Sequence, residues 1–312
     1  MAFFEPFVSF RKQPKGGDID AALLQPSSAL TSGTSVLLLI HGYNVDQFDA
    51  SDSYNGWTTR QNEIGRLNAN VVGVYWPGDR GSSNALLNAI FYMQALPKAE
   101  ATAPFLAVAL RRAANLLGTL RVRIIAHSLG ARVTMELLDD LNKHPQPNLV
   151  VEKFVVMAAA VATRRLGPSQ PFRAVLELPT MSGFMSLFSE VDPVLRFAFR
   201  PGEALGGGGL FVTALGHERW TGGGAIGEPR LLQNRIEGAH HGDYWAGNEK
   251  DPAAVARAAK AARFARQFLD LGPMARLAAS VTTPARTTES PRDLDGRATA
   301  PARTTASRAV AA

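Results

Sequence analysis

Residues 122–130, VRIIAHSLG, decide how the rest of the chain is read. Val122 to Ala126 (VRIIA) reads as a strand, His127 to Gly130 is a tight turn, and Ala131 to Asn142 has apolar residues at helical spacing and stops before Pro145. That order holds a serine at the apex of a strained strand-to-helix turn, with small residues two positions to either side so that strand and helix can approach. Ala126 and Gly130 are those small residues, Ala standing where Gly is usual. The pattern small-x-Ser-x-Gly occurs by chance in roughly one chain in five of this length, so its placement between a strand and a helix is what counts. The plain alternative is that Ser128 caps a helix.

Outward from this stretch, apolar runs and helical spacings alternate. Ser35 to Ile40 (SVLLLI), closed by His41-Gly42, and Asn70 to Trp76, stopped by Pro77-Gly78, read as buried strands, with a helix over Gly56 to Asn68 between them. Ala85 to Leu117 has helical spacing interrupted at Pro97 and Pro104, which predicts two helical pieces joined by a bend. Phe154 to Val161 and Phe184 to Phe188 read as further strands, Phe211 to Leu215 as one more short strand, and Ala253 to Leu271 as a closing helix. Such alternation implies an α/β fold, a mostly parallel sheet with helices on both faces that binds ligands beyond the carboxyl ends of its strands. Residues 1–34 read as a lead-in and residues 35–272 as the folded domain. Residues 279–312, built of Thr, Ala, Pro and Arg without an aromatic residue, read as a disordered tail.

Composition narrows the classes. The 312 residues are 46 % hydrophobic and 19 % charged, as in a globular protein. A net charge of +6 and a pI near 9.8 invite a nucleic-acid reading, yet Arg276, Arg286, Arg292, Arg297, Arg303 and Arg308 all lie near the C-terminus, so no specific nucleic-acid partner is expected. The absence of cysteine excludes disulfides, thiolate metal sites and a cysteine nucleophile. No apolar run reaches membrane-spanning length and no basic segment precedes an apolar one at the N-terminus, so no transmembrane anchor and a cytoplasmic location are expected.

Activating a serine hydroxyl takes a base, an acid that fixes the base, and backbone N–H groups for the oxyanion. The acid belongs after Ser128 at a strand end, where Asp192 in SEVDPVL qualifies, with Glu190 as its neighbouring competitor. The base follows the acid in this chain order, and the doublet His240-His241 supplies it; the following Gly-Asp-Tyr loop favours His241, with His240 left open. The N–H groups of Tyr43, in the loop after the first strand, and of Leu129, after the serine, are the candidate oxyanion donors. The plain alternative is that His41-Gly42 is merely a turn. His127, adjacent to the serine, reads as a packed neighbour rather than the base. No carboxylates stand at ligand-like spacing beside the histidines, so neither a metal nor another cofactor is expected.

Together LLLIHGYNV, VVGVYWPGD, RIIAHSLGARV, SEVDPVL and HHGDYW resemble the α/β-hydrolase superfamily over about residues 35–270, in particular bacterial serine hydrolases with HGYN and HSxGxR signatures. The resemblance implies the α/β-hydrolase fold, with Ser128 as nucleophile, Asp192 as acid, His241 as base, and Tyr43 and Leu129 as oxyanion donors. It further implies hydrolysis of a carboxylic ester, the substrate a small-molecule or lipid-like acyl ester. Thioester cleavage or acyl transfer would use the same groups, and a non-catalytic interaction module could share the fold. Phe184 to Phe188, Leu195 to Phe199, Phe91, Tyr92 and Met93 are candidates to line an acyl pocket, and Gly206 to Gly224 to cover it.

Overall fold

Strands that are apolar along their whole length have no face to offer water, and must lie inside a sheet covered on both sides. A computed structural model of the chain describes residues 3–16, 18–20, 28–79, 85–199, 212–222, 230–245 and 250–274, without the side chains of 85–91 and 198. All of them fall in one unit, Met1–Ala275. The expected tail, the stretch after Phe199 and most of the glycine-rich region lie outside the described residues.

The elements are β1(Phe7–Ser9), α1(Ser28–Thr31), β2(Ser35–Ile40), α2(Gln47–Ile64), β3(Val71–Tyr75), α3(Ala85–Leu117), β4(Leu120–His127), α4(Gly130–Lys143), β5(Leu149–Met157), α5(Arg173–Leu176), β6(Gly183–Phe188), β7(Leu231–Arg235) and α6(Pro252–Leu269). A 3-10 turn spans Thr163–Leu166 and a π-helical turn Val194–Phe199. The seven strands form one sheet in the order β1-β3-β2-β4-β5-β6-β7, and every pair is parallel. From β2 the chain winds to β3 on one side, then crosses to β4 on the other. The crevice of an open parallel sheet forms at such a reversal, above the carboxyl ends of β2 and β4.

Several boundaries differ from the sequence expectation. Strand β1 falls inside the expected lead-in and pairs with β3, while β7 was not foreseen; both are edges, too short or too polar to stand out as apolar runs. Helix α2 begins nine residues before Gly56, because the Asp46 carboxylate accepts the N–H groups of Phe48 (2.8 Å) and Asp49 (3.0 Å) and caps it there. Strand β5 begins and ends earlier than Phe154 to Val161. Phe211 lies outside the described residues, and the described part of the expected strand at Phe211 to Leu215 forms an isolated antiparallel bridge, Ala214 with Ala162, in place of a strand.

The expected bend in the long helix is absent as a break, and α3 runs as one element with Pro97 and Pro104 inside it. Both prolines lie on the exposed side of the helix. Tyr92, Ala95, Ala99, Ala103, Leu106, Leu110 and Ala113 form the opposite, buried stripe. Across it, Arg132 of α4, almost wholly buried, binds Glu100 of α3 at 2.5 Å and Glu136 at 2.7 Å, with its guanidinium over the Phe172 ring at 5.0 Å. Burial of the stripe outweighs the proline penalty. Replacing the exposed Pro104 by Ala restores a helical N–H and should stabilise the protein by about 1–3 kcal/mol in urea unfolding. A loss of stability would instead show that the packing of α3 depends on a proline-induced curve.

Candidate active site

The site begins with backbone geometry. Ser128 has φ +52°, a left-handed conformation that costs a non-glycine residue about 1–2 kcal/mol. It is held by its N–H donating to the Met157 carbonyl (2.9 Å) and by its own carbonyl accepting from the N–H groups of Ala131 (3.1 Å) and Ala160 (3.0 Å). Glycine at 130 is forced by neighbouring backbone: a Cβ there would stand 2.4 Å from the His41 oxygen and 2.6 Å from that of Ile40. At Gly42 a Cβ would stand 2.7 Å from that of Ser128. Ala126, fully buried, pairs with Ile40 on one side and Val156 on the other, a place where its methyl group fits.

Asp192, beyond the end of β6, and His241, in the turn after β7, converge on this serine. His241 Nε2 lies 2.8 Å from Ser128 Oγ, and its Nδ1 lies 2.8 Å from Asp192 Oδ2. Burial pushes the Asp192 carboxyl up, but the His241 contact and the Leu195 N–H outweigh it and hold the pKa below its ordinary value. An ionised Asp192 can only accept, so the proton sits on Nδ1 and the Nε2 lone pair faces the serine hydroxyl. Asp192 Oδ1 is engaged as well, accepting the N–H groups of Val194 (2.9 Å) and Leu195 (3.2 Å) at the start of the π-helical turn.

The alternatives lie elsewhere. His240 is exposed, and its backbone N–H donates to Asp243 Oδ2 at 2.8 Å; Asp243 in turn pairs with Arg257 of α6 at 2.8 Å, fixing the turn that presents His241. Glu190 pairs with Arg235 at 3.0 Å.

Two further histidines are structural parts of the site. His127 Nε2 lies 2.7 Å from the His241 carbonyl, so its N–H donates there and ties the His241 turn to β4. His41 accepts the Trp76 N–H at Nε2 (3.2 Å), lies 2.9 Å from the Gly42 carbonyl at Nδ1, and accepts the Trp76 indole N–H at its own carbonyl (2.8 Å). Burial lowers both pKa values to about 3, so both rings are neutral at ordinary pH.

Other supports were not foreseen as such. The Tyr54 hydroxyl accepts the His41 N–H (2.9 Å) and donates to the Val74 carbonyl (2.7 Å). Arg11 pairs with Asp79 and donates to the Trp76 carbonyl (2.9 Å), and Gly78 accepts the Asn44 N–H at 2.8 Å. The turn bearing Tyr43 is thereby locked against the β3 loop. Asp79 sits in a stretch quoted for the family resemblance, whereas nothing around Arg11 marks it in the sequence.

Ser128 and His241 open into a cavity of about 490 Å³, walled chiefly by Tyr43, Tyr92, Ala160, Val194, Leu195, Phe197 and Phe199. Tyr43 thus lines the same cavity as Ser128, and Leu129 holds the N-cap position of α4. Of the pocket candidates, Tyr92, Leu195, Phe197 and Phe199 line the cavity, whereas Phe184 to Phe188 form β6 inside the sheet and Met93 is not among the lining residues. The Phe91 side chain lies outside the described residues. Among the described residues no group of three His, Cys, Asp or Glu could hold a metal ion, and no helix is long and apolar enough to cross a membrane.

Comparison with known proteins finds these likenesses. Residues 25–164 match a family described as "Alpha/beta hydrolase of unknown function (DUF900)", a span that includes Ser128 and ends before Asp192 and His241. No curated protein sequence matches the chain. Similar solved structures include a gene product of Listeria innocua (12 % identity, TM-score 0.42, covering 77 % of this chain and 96 % of that one). Another is carboxyl esterase 2 from the fungus Tuber melanosporum (16 %, TM-score 0.39, covering 75 % and 77 %). A third is an extracellular α/β-hydrolase from a Paenibacillus species (10 %, TM-score 0.32, covering 77 % and 99 %).

Two expectations follow from this geometry. Gly130→Ala presses a methyl group onto fixed carbonyl oxygens, and should cost about 2 kcal/mol or more in urea unfolding; an unperturbed variant would show that β2 and α4 can separate freely. Unfolded histidines titrate near 6.5 whereas folded His41 and His127 titrate near 3, so the unfolded state gains protons first as pH falls through this window. Stability should therefore decline from pH 6.5 downward by up to about 1.4 kcal/mol per pH unit for each histidine. Asp192, its folded pKa depressed, adds its loss only below the ordinary carboxylate range. The urea midpoint of His127→Gln should depend less steeply on pH between 6.5 and 4 than that of the wild type; equal slopes would mean that His127 takes up its proton in the folded protein.

Proposed function

We propose that this chain, a member of the α/β-hydrolase superfamily, hydrolyses carboxylic esters through an acyl-enzyme formed on Ser128. The observation that carries the reading is the chain of contacts from Asp192 through His241 to Ser128, 2.8 Å at each link, opening into a largely apolar cavity.

In this mechanism His241 Nε2 takes the Ser128 proton as Oγ attacks the ester carbonyl carbon. The imidazolium so formed is stabilised by Asp192, whose carboxylate is already ionised and desolvated beside it. The carbonyl oxygen gains negative charge in the tetrahedral intermediate, where the N–H groups of Tyr43 and Leu129 receive it, the latter helped by the positive end of α4. Collapse expels the alcohol, protonated by His241. Water then enters, gives its proton to His241 and attacks the acyl carbon; the carboxylic acid leaves as Oγ regains its proton, and the starting state returns. None of these steps calls on a cofactor. The substrate is a small or lipid-like molecule whose acyl part fits the cavity.

A fluorophosphonate probe should label the wild type and leave Ser128→Ala unlabelled, and the variant should lose about 10³-fold or more in kcat/KM on p-nitrophenyl esters. Across p-nitrophenyl esters, kcat/KM should rise from acetate upward by about threefold per added methylene until the cavity is filled. Equal labelling of the variant, or none of the folded wild type, would sink the assignment.

A further inference from the structure

Five large apolar side chains are exposed among the described residues: Leu116, Val191, Val194, Phe197 and Met274. Three of them crowd into one short segment directly around Asp192, with Val191 49 %, Val194 41 % and Phe197 67 % exposed. Val194 and Phe197 also line the cavity next to Ser128, so the same side chains form an outer ridge and an inner wall. The ridge is held in place, because the Asp192 carboxylate binds the first N–H groups of its π-helical turn, while Leu195 and Phe199 of that turn are buried. An ordered apolar ridge left in water at a cavity mouth marks a surface that is covered in use.

Its charge indicates by what. Arg196 projects from the ridge, exposed, with its guanidinium over the Phe197 ring at 5.1 Å and no carboxylate partner among the described residues. The neighbouring Glu190 is already neutralised by Arg235 at 3.0 Å. Apolar side chains that enter an acyl layer beside a cation that meets phosphate groups are the chemistry of an anionic lipid surface. We propose that the ridge Val191–Phe197 docks the protein on an anionic lipid surface, and that an acyl chain passes from that surface along Val194 and Phe197 to Ser128. The second half of this proposal rests on the ester-hydrolase reading; the docking does not.

Co-sedimentation tests the docking without any activity. Full-length wild type should sediment with vesicles of phosphatidylcholine mixed with phosphatidylglycerol, and markedly less with phosphatidylcholine alone. Val191→Asp should weaken the binding about tenfold and Arg196→Glu about fivefold, each with an unchanged circular dichroism spectrum. Val191 is not among the cavity-lining residues, so Val191→Asp should hydrolyse soluble p-nitrophenyl acetate like the wild type while losing rate on vesicle-borne esters. Wild type that does not sediment overturns the proposal, as does Val191→Asp binding like wild type, which would place the attraction in the basic C-terminal residues. Arg196→Glu binding like wild type, or equal sedimentation with both vesicle types, overturns the anionic assignment. A Val191-dependent dimer that ignores vesicles would give the ridge to self-association. Ser128→Ala should sediment normally, so a protein that binds vesicles but is not labelled by the phosphonate would refute the hydrolase reading alone.

Discussion

The left-handed turn at Ser128 is the constraint on which the other parts depend. A serine held at positive φ relaxes unless its surroundings forbid it, and here they do so from three directions. Met157 and Ala160 hold its backbone from the β5 side, the carbonyls of His41 and Ile40 press on Gly130 from the β2 side, and α4 follows immediately. The conformation that presents Ser128 to the cavity is thus imposed by the centre of a parallel sheet. The histidines beside it work as neutral struts: His127 ties the His241 turn to β4, and His41 ties the Tyr43 turn to Trp76.

Much of the fold was legible because buried parallel strands cannot conceal themselves: SVLLLI and the Val71–Tyr75 run are apolar on both faces, and VRIIA is broken only by Arg123. The same logic explains the failures. The edge strands β1 and β7 carry too little of that signal. In β5, Glu152 and Lys153 interrupt the apolar run, Glu152 pairing with Arg121 and Lys153 with Asp270 at 2.6 Å. The residues just past Met157 are apolar because they pack beneath the serine turn, which shifted the strand toward them in a reading of sequence. The prolines of α3 were overruled by a buried stripe that a local rule does not weigh.

The residues that converge here, Ser128, Asp192 and the histidine doublet, could be singled out in the sequence because each follows a strand in a fixed chain order. The choice between His240 and His241 was not, since it turns on the Asp243–Arg257 pair that orients the turn, and Arg257 lies on a different element. Arg11 was invisible for the same reason: its partners Asp79 and Trp76 are remote in the chain. Sequence order exposes residues placed by the sheet and hides those placed by contacts across it.

The two oxygens of Asp192 face different tasks, one toward His241 and the other toward the turn that walls the cavity. In the proposed mechanism one carboxylate is therefore shared between reactivity and pocket shape. In many enzymes, loops around a fixed set of reacting groups can be exchanged like cassettes. This chain denies that modularity on one side: a graft that replaces residues 193–199 must also carry an anchor for the acid, and moving the acid to another strand would unhook the wall. Evolution or design can more readily diversify the wall at Tyr92, which stands on α3, an element that carries none of the proposed reacting groups.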